Sequence, residues 1–396
     1  MTLAFNRFPN QPNQIPEYQL AGVNPAAHPS SAIDSGLNQQ DYFGVLAMNG
    51  AVGSSWEYQI AYSAHYNTQT FYPDSIGDLI YQGVASNVFT SDLSNTLETD
   101  LTYRNGPHTF RSGTYLGEYG VESDQTSQVF RLQAGVPATT PISITANLNK
   151  FNLVYGLYFE DTWAINQRLS LNFGSRWDRV TGFTFDSQFS PTINATCKAS
   201  ESLVVHAGFA RNFQVPNFQG IPANTSQLFQ NTTGAVGSPS GGGPYAETDC
   251  TWDTGFIYKI SPRLTFAQDN YFRIDRHYLD EGEFGFVPID VPFNYVRGYG
   301  GGNGNSLTYN VENFTARWNL YFAREEDIGL ASGQYNFPPD ELAYIDRHYI
   351  VLDHTPLIGA SGGTAYRWHD YLFSIDGLFS SGLRSGFANQ HQPPKV

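Results

Sequence analysis

From Leu169 to Trp177 the chain reads Leu-Ser-Leu-Asn-Phe-Gly-Ser-Arg-Trp. In an extended strand Leu169, Leu171, Phe173 and Trp177 then point one way, and Ser170, Asn172, Gly174 and Arg176 point the other. The pattern returns three times: Trp56, Tyr58, Ile60 and Tyr62 alternate with Glu57, Gln59, Ala61 and Ser63; Leu153, Tyr155, Leu157 and Phe159 with Val154, Gly156, Tyr158 and Glu160; and Phe314, Ala316, Trp318, Leu320 and Phe322 with Thr315, Arg317, Asn319 and Tyr321. A period of two gives a strand one apolar and one wet face. Such strands are short in a soluble sandwich, whereas these run to about ten residues and carry aromatics at their ends, as transmembrane β-strands do. The expected fold is all-β: a large antiparallel transmembrane β-barrel with long extracellular loops.

Composition supports that class. Charged residues make up 14% of the chain, below the roughly 25% of ordinary soluble domains, while aromatics reach 15%. Tyr and Phe favour strands, and Tyr and Trp favour membrane interfaces. With 38 Gly and 22 Pro, turns are plentiful. The formal net charge of −15 excludes nucleic acid as a partner, because phosphate binding needs clustered Lys and Arg. No run of 18 apolar residues occurs, so a helical membrane span is excluded; a barrel is not, because its strands are only half apolar. Cys197 and Cys250 are too few for a disulfide framework and lie in no zinc-binding spacing, so no role is assigned to them. The first ten residues show no secretory signal, and a protein of the outer membrane would then have to be a fragment.

Two regions are expected. Residues 1–38 form an irregular polar segment containing Pro9, Pro12, Pro16, Pro25 and Pro29, and residues 39–396 form the partial barrel. Strands are predicted at 41–48, 56–66, 78–89, 97–103, 108–119, 128–134, 151–165, 168–183, 191–198 and 203–213. Beyond a long loop over 215–245, more follow at 249–260, 263–278, 284–297, 307–323, 349–354, 358–368 and 371–380. The loop includes the sequon Asn224-Thr225-Ser226, to which no role is given.

Strand parity selects the residues that would face a water-filled lumen: Glu160, Arg176, Asp178 and Arg317, with Arg211 of the same class. Glu160, Asp161 and Asp178 supply the carboxylates a glycosidase needs, but Asp161 falls on the opposite face from Glu160. Asp280, Glu281 and Glu283 offer oxygen ligands for calcium, although an acidic surface loop accounts for them, and a solvated loop accounts for Asp340, Glu341 and Asp346. His206, His277, His348 and His354 have no metal spacing, and no cofactor is expected. Gly298 to Gly304 lacks the Lys of a phosphate loop and reads as a plain loop.

Tyr158-Phe-Glu-Asp-Thr-Trp-Ala-Ile-Asn-Gln-Arg-Leu-Ser-Leu-Asn-Phe-Gly-Ser-Arg-Trp-Asp178 and His206-Ala-Gly-Phe-Ala-Arg-Asn-Phe-Gln-Val-Pro216 resemble two strands of the TonB-dependent outer-membrane receptors. Leu279 to Gly285, Phe293-Asn294-Tyr295, Arg297-Gly298-Tyr299-Gly300, Ser332 to Phe337 and Ser381 to Asn389 continue the resemblance in the same order over about 240 residues. The resemblance implies part of a barrel of about 22 strands, whose N-terminal plug domain and last strand are missing here. It further implies a place in outer-membrane lipid, capture of a scarce small molecule such as a ferric siderophore or other metal chelate, contact with TonB only through the absent plug, and no enzymatic chemistry. Capture would fall to loops at 215–245, 280–293 and 325–346. Two alternatives carry different consequences. One is a passive pore or structural barrel remnant. The other is a soluble carbohydrate-binding or hydrolytic all-β protein, which would bury Trp56, Leu171, Phe173 and Trp318 in a core instead of facing them to lipid.

Overall fold

The computed structural model describes residues 2–3, 18–218, 227–235, 243–283, 290–334 and 336–390. Its framework is a meander of antiparallel strands: β1 (Thr2–Leu3), β2 (Gly36–Val52), β3 (Trp56–Tyr72), β4 (Val84–Asn105), β5 (His108–Gln133), β6 (Val136–Ala164), β7 (Leu169–Gly182), β8 (Asp186–Lys198) and β9 (Leu203–Gln214). It continues through β10 (Glu247–Ser261), β11 (Leu264–Arg276), β12 (Leu279–Glu283), β13 (Asp290–Val311), β14 (Phe314–Leu330), β15 (Ile350–Val351), β16 (Ile358–Trp368) and β17 (Tyr371–Ser380). Two short helices interrupt it, α1 (Gly77–Gln82) and α2 (Pro339–Ile345). Long strands pair with their neighbours in the chain. β12 extends the β11–β13 hairpin and β15 the β14–β16 hairpin. Among the described residues β17 pairs along one side only, with β16, and β2 takes β3 along one side and only the two residues of β1 on the other. Among the described residues the sheet is therefore an open section of wall, with one edge at β17 and the other along β2 beyond its short pairing with β1.

One end of the sheet carries only tight turns, and the other carries the long connections. Connections at 53–55, 106–107, 165–168, 199–202, 262–263, 312–313 and 369–370 all lie at one end, and the turn after Asn105 is closed by Gly106 at a φ of +58°. The opposite end carries the long segments 73–83, 215–246, 277–289 and 331–357, beside two short connections at 134–135 and 183–185. That asymmetry is the outer-membrane pattern of short turns below and long loops above.

The hydrophobic core sits at the loop end. Leu37, Phe71, Val88, Val129 and Phe229 form one cluster; Phe293, Tyr295, Phe337, Ile345 and Leu352 form a second. Along the wall nearer the turns, the apolar residues of each strand stay exposed. Trp56 retains 41% of its accessible surface, Phe173 37% and Trp318 45%, with Leu171 half-buried. This is the arrangement expected of residues that meet lipid, and it removes the soluble-core alternative.

Several expected elements are corrected. Residues 78–82 lie in α1 rather than in a strand, because Gly83 at a φ of +75° closes a single helical turn there. The separate strands at 97–103 and 84–89 are one strand, β4, and those at 108–119 and 128–134 are both in β5. The expected strand 307–323 contains the 312–313 turn and belongs to β13 and β14. Gly298 to Gly304 is not a loop but the middle of β13. Asp340 and Glu341 belong to α2, and Glu341 is buried, accepting the backbone N–H of Ala388. The Asn224 sequon and the start of the expected strand at 284 lie outside the described residues.

Candidate functional site

The polar face of the wall is the inner one, because loop residues fold back onto it. Val180 lies on the same face of β7 as Arg176 and Asp178, and Phe218, from the segment after β9, packs on Val180, Val154 and Val121. Below that contact lies a concavity of about 430 Å3 lined by Tyr158, Glu160, Arg176, Asp178 and Arg211. Three of the four lumen candidates thus share one patch. Arg317 is separated from them by several strands. It lies on β14 opposite Gly363, in a second concavity of about 360 Å3 with Asn319, Ser361 and Asp376.

Within the first patch the charges are paired along and across strands. Glu160 accepts from Arg111 Nη1 at 2.9 Å, its directly opposite neighbour on β5. Arg176 Nε donates to both oxygens of Asp178, at 2.7 and 2.9 Å. Gly156, opposite Asp178, makes room for this: a Cβ there would lie 2.3 Å from an Arg176 nitrogen. The same device recurs at Gly113, over which Tyr158 reaches from β6 to Asp100 on β4. Asp161 is on the other face, at 2.7 Å from His108 Nδ1, and the His108 ring stacks on Trp163. Glu160 and Asp161 therefore do not flank a common substrate.

A second inner patch escapes a reading by alternation alone. Arg273 on β11 meets Glu247 at 2.7 Å, Glu325 at 3.0 Å and Asp275 at 3.8 Å, and its guanidinium lies 5.1 Å from the Tyr278 ring centroid. Asp327, two residues beyond Glu325 on β14, completes the group. The glycine run of β13 separates β11 from β14 and explains the meeting. Gly298 faces Asp275 and Asp327, Gly300 faces Arg273 and Glu325, and neither puts a side chain between them. The sequence signal was the unexplained Gly-x-Gly-x-Gly spacing inside a two-faced strand.

The loop layer above is held by buried polar groups. Asn294, fully buried in β13, donates to the carbonyls of Tyr245 and His277 and accepts the Tyr245 N–H, tying two connections to that strand. Asp280, expected in an acidic cluster with Glu281 and Glu283, instead approaches His354 at 3.4 Å, with Asp353 beside it. The hydrogen bond to Asp280 pushes His354 up to about 9, and burial raises Asp353. In α1, burial raises Asp78 to about 6 although its carboxylate accepts from Ser35 and the Asp74 N–H. Cys197 and Cys250 are free thiols.

No curated protein matches the sequence. Among solved structures the chain is similar to the ferric yersiniabactin uptake receptor FyuA from Yersinia pestis, with a TM-score of 0.62 and 10% identity over 90% of this chain and 52% of that one. It is also similar to the ferric citrate transporter FecA in its unliganded form, with a TM-score of 0.61 and 12% identity over 90% of this chain and 51% of that one. A third is the siderophore receptor PiuA from Acinetobacter baumannii, with a TM-score of 0.58 and 12% identity over 90% and 56%. The chain spans about half the length of these proteins. Residues 2–390 match the model of the family described as TonB dependent receptor-like, beta-barrel, and to that family the chain belongs.

Proposed function

We propose that this chain is the solute-handling wall of an outer-membrane receptor that takes up a scarce, bulky ligand such as a metal chelate. The observation that carries the reading is the loop layer folded back over a polar inner wall, with Phe218 roofing the Glu160–Arg176–Asp178 patch. A loop-covered polar wall of this kind suits a hydrogen-bonding ligand, and Arg176 on it suits the anionic groups of a chelate. The roles of the ferric yersiniabactin uptake receptor and the ferric citrate transporter support the same substrate class. The two edges of the sheet need partner strands in a bilayer, where unpaired backbone groups are costly. Among the described residues fourteen long strands form the wall, and a wall of about 22 would need about eight more. Energised uptake would run through a plug and TonB, and no covalent step is assigned.

The test is direct binding. The chain, folded in detergent, is titrated with ferric citrate, ferric catecholate and ferric hydroxamate chelates while tryptophan fluorescence is followed. Saturable binding of one class, weakened at least about tenfold by Arg176→Ala, supports the reading. Vesicles that leak unrelated solutes, with no chelate bound, would establish the passive-pore alternative instead.

A further inference from the structure

We infer that Asp275, Glu325 and Asp327 form an inner-wall site for a hard divalent cation, calcium in preference to magnesium. Each residue offers one carboxylate oxygen, and the three oxygens lie within 4.8 Å of one another. All three side chains are buried: Asp275 keeps 1% of its surface, Asp327 none and Glu325 7%. Neither oxygen of Asp275 and neither oxygen of Asp327 accepts a hydrogen bond from any N–H or O–H donor. Buried carboxylates without donors are costly, and a built site normally supplies either donors or a cation.

The nearby positive charge is too small to serve. Arg273 lies among four carboxylates, those of Glu247, Asp275, Glu325 and Asp327, and its short contacts go to Glu247 and Glu325. Asp327 has no ion-pair partner at all among the described residues. A dication would leave the group one formal negative charge. The all-oxygen donor set selects calcium, magnesium or manganese over zinc or copper. Calcium is favoured because the carboxylates come from two strands separated by a third, a spread that suits its larger shell and flexible coordination better than the tight octahedron of magnesium. The glycine lane of β13 supplies the space: a Cβ on Gly298 would lie 2.2 Å from Asp327 Oδ1, and one on Gly300 2.2 Å from Glu325 Oε2. The other carboxylate group, Asp280 with Asp353 and His354, serves as an internal control, since it carries an exposed histidine and lies among the loops.

The alternative way to neutralise the group is a proton held between Asp275 and Asp327, and the experiment separates the two. The full chain in detergent is stripped with EDTA and titrated with Tb3+, read by emission excited through tyrosines such as Tyr278 beside Arg273, and then competed with Ca2+ and Mg2+. Thermal unfolding is followed in parallel. The expected result is one saturable site, Tb3+ displaced by Ca2+ at lower concentration than by Mg2+, and a Ca2+-dependent rise in Tm. Asp327→Asn and Glu325→Gln each weaken Tb3+ binding at least about tenfold, and Asp280→Asn leaves it unchanged. Absence of saturable Tb3+ binding to the folded chain overturns the site, as does binding that survives Asp327→Asn and Glu325→Gln but is lost with Asp280→Asn. A chain whose Tm ignores Ca2+ and rises in Asp327→Asn holds a shared proton instead.

Discussion

At the scale of single residues, the wall depends on where side chains are missing. Gly182 ends β7 at a φ of +129°, and a Cβ there would stand 2.0 Å from the Phe151 carbonyl oxygen. That oxygen accepts the N–H of Phe183, so it has no freedom to retreat. Gly182→Ala is expected to cost about 1–3 kcal/mol, read as a lower temperature for loss of the folded form's mobility on a denaturing gel. Asp78 gives a pH dependence of known sign. Its folded-state value of about 6 stands above the ordinary 3.8, so between these the folded chain holds more proton than the unfolded one, and stability falls as pH rises through the window. The penalty is complete above about pH 6 and absent below about pH 4, up to about 3 kcal/mol in size. Asp78→Asn should flatten the stability profile of the β3–β4 connection between pH 4 and 6, measured by hydrogen exchange; an unchanged slope would assign it to other groups. Parity in the sequence was enough to place Glu160, Arg176 and Asp178 on one face, but not to find the Arg273 group. Its members are brought together by register across β13, which joins residues about 50 positions apart.

At the scale of elements, the loops behave as a packed layer and not as tethers. Phe229 is fully buried against Val88 and Val129, and Thr233 of the same segment donates to the Gly83 carbonyl and accepts the Phe130 N–H. Phe229→Ala should cost about 3–5 kcal/mol locally and open the segment 227–235 to protease while the strands remain protected. His354 is the second anchor. With its value raised to about 9, its contact to Asp280 is fully present below about pH 6.5 and is lost as pH rises through 9. Proteolysis of the 352–357 connection should therefore quicken between pH 7 and 9.5 in the native chain and show no such step in His354→Gln. The strands themselves were legible where lipid imposes alternation: β16 and β17 begin and end at the expected residues. They were not legible where β4, β5 and β6 rise beyond the apolar band, because both faces are polar or covered by loops there and the period-two signal lapses. The glycines of β13 failed for a different reason. Propensity assigns such a run to a loop, whereas the pleat uses it as space for side chains from both neighbours.

For the whole molecule, the decisive property is which face carries the aromatics. All six tryptophans, Trp56, Trp163, Trp177, Trp252, Trp318 and Trp368, lie on the outer face and keep between 37% and 54% of their surface exposed. Trp56, Trp163 and Trp368 stand beside the short turns, where Trp56 stacks on Tyr103 and Trp368 on Tyr371 at centroid distances of 4.3 and 6.3 Å. Such rings at strand ends mark the level of the lipid headgroups. Trp177 and Trp252 lie farther along their strands, toward the loop end. The wall should therefore report depth through its own fluorescence. In vesicles of lipids brominated at successive acyl positions, bromine near the headgroup should quench the girdle tryptophans, and deeper bromine should quench a separate fraction carried by Trp177 and Trp318. Iodide in the aqueous phase should have little effect on either. Replacing Trp56, Trp163 and Trp368 together by Phe should remove the shallow fraction and leave the deep one. If iodide quenches most of the emission while the chain retains its strand signal in circular dichroism, the aromatic face meets water, and the membrane orientation assigned to this wall is wrong.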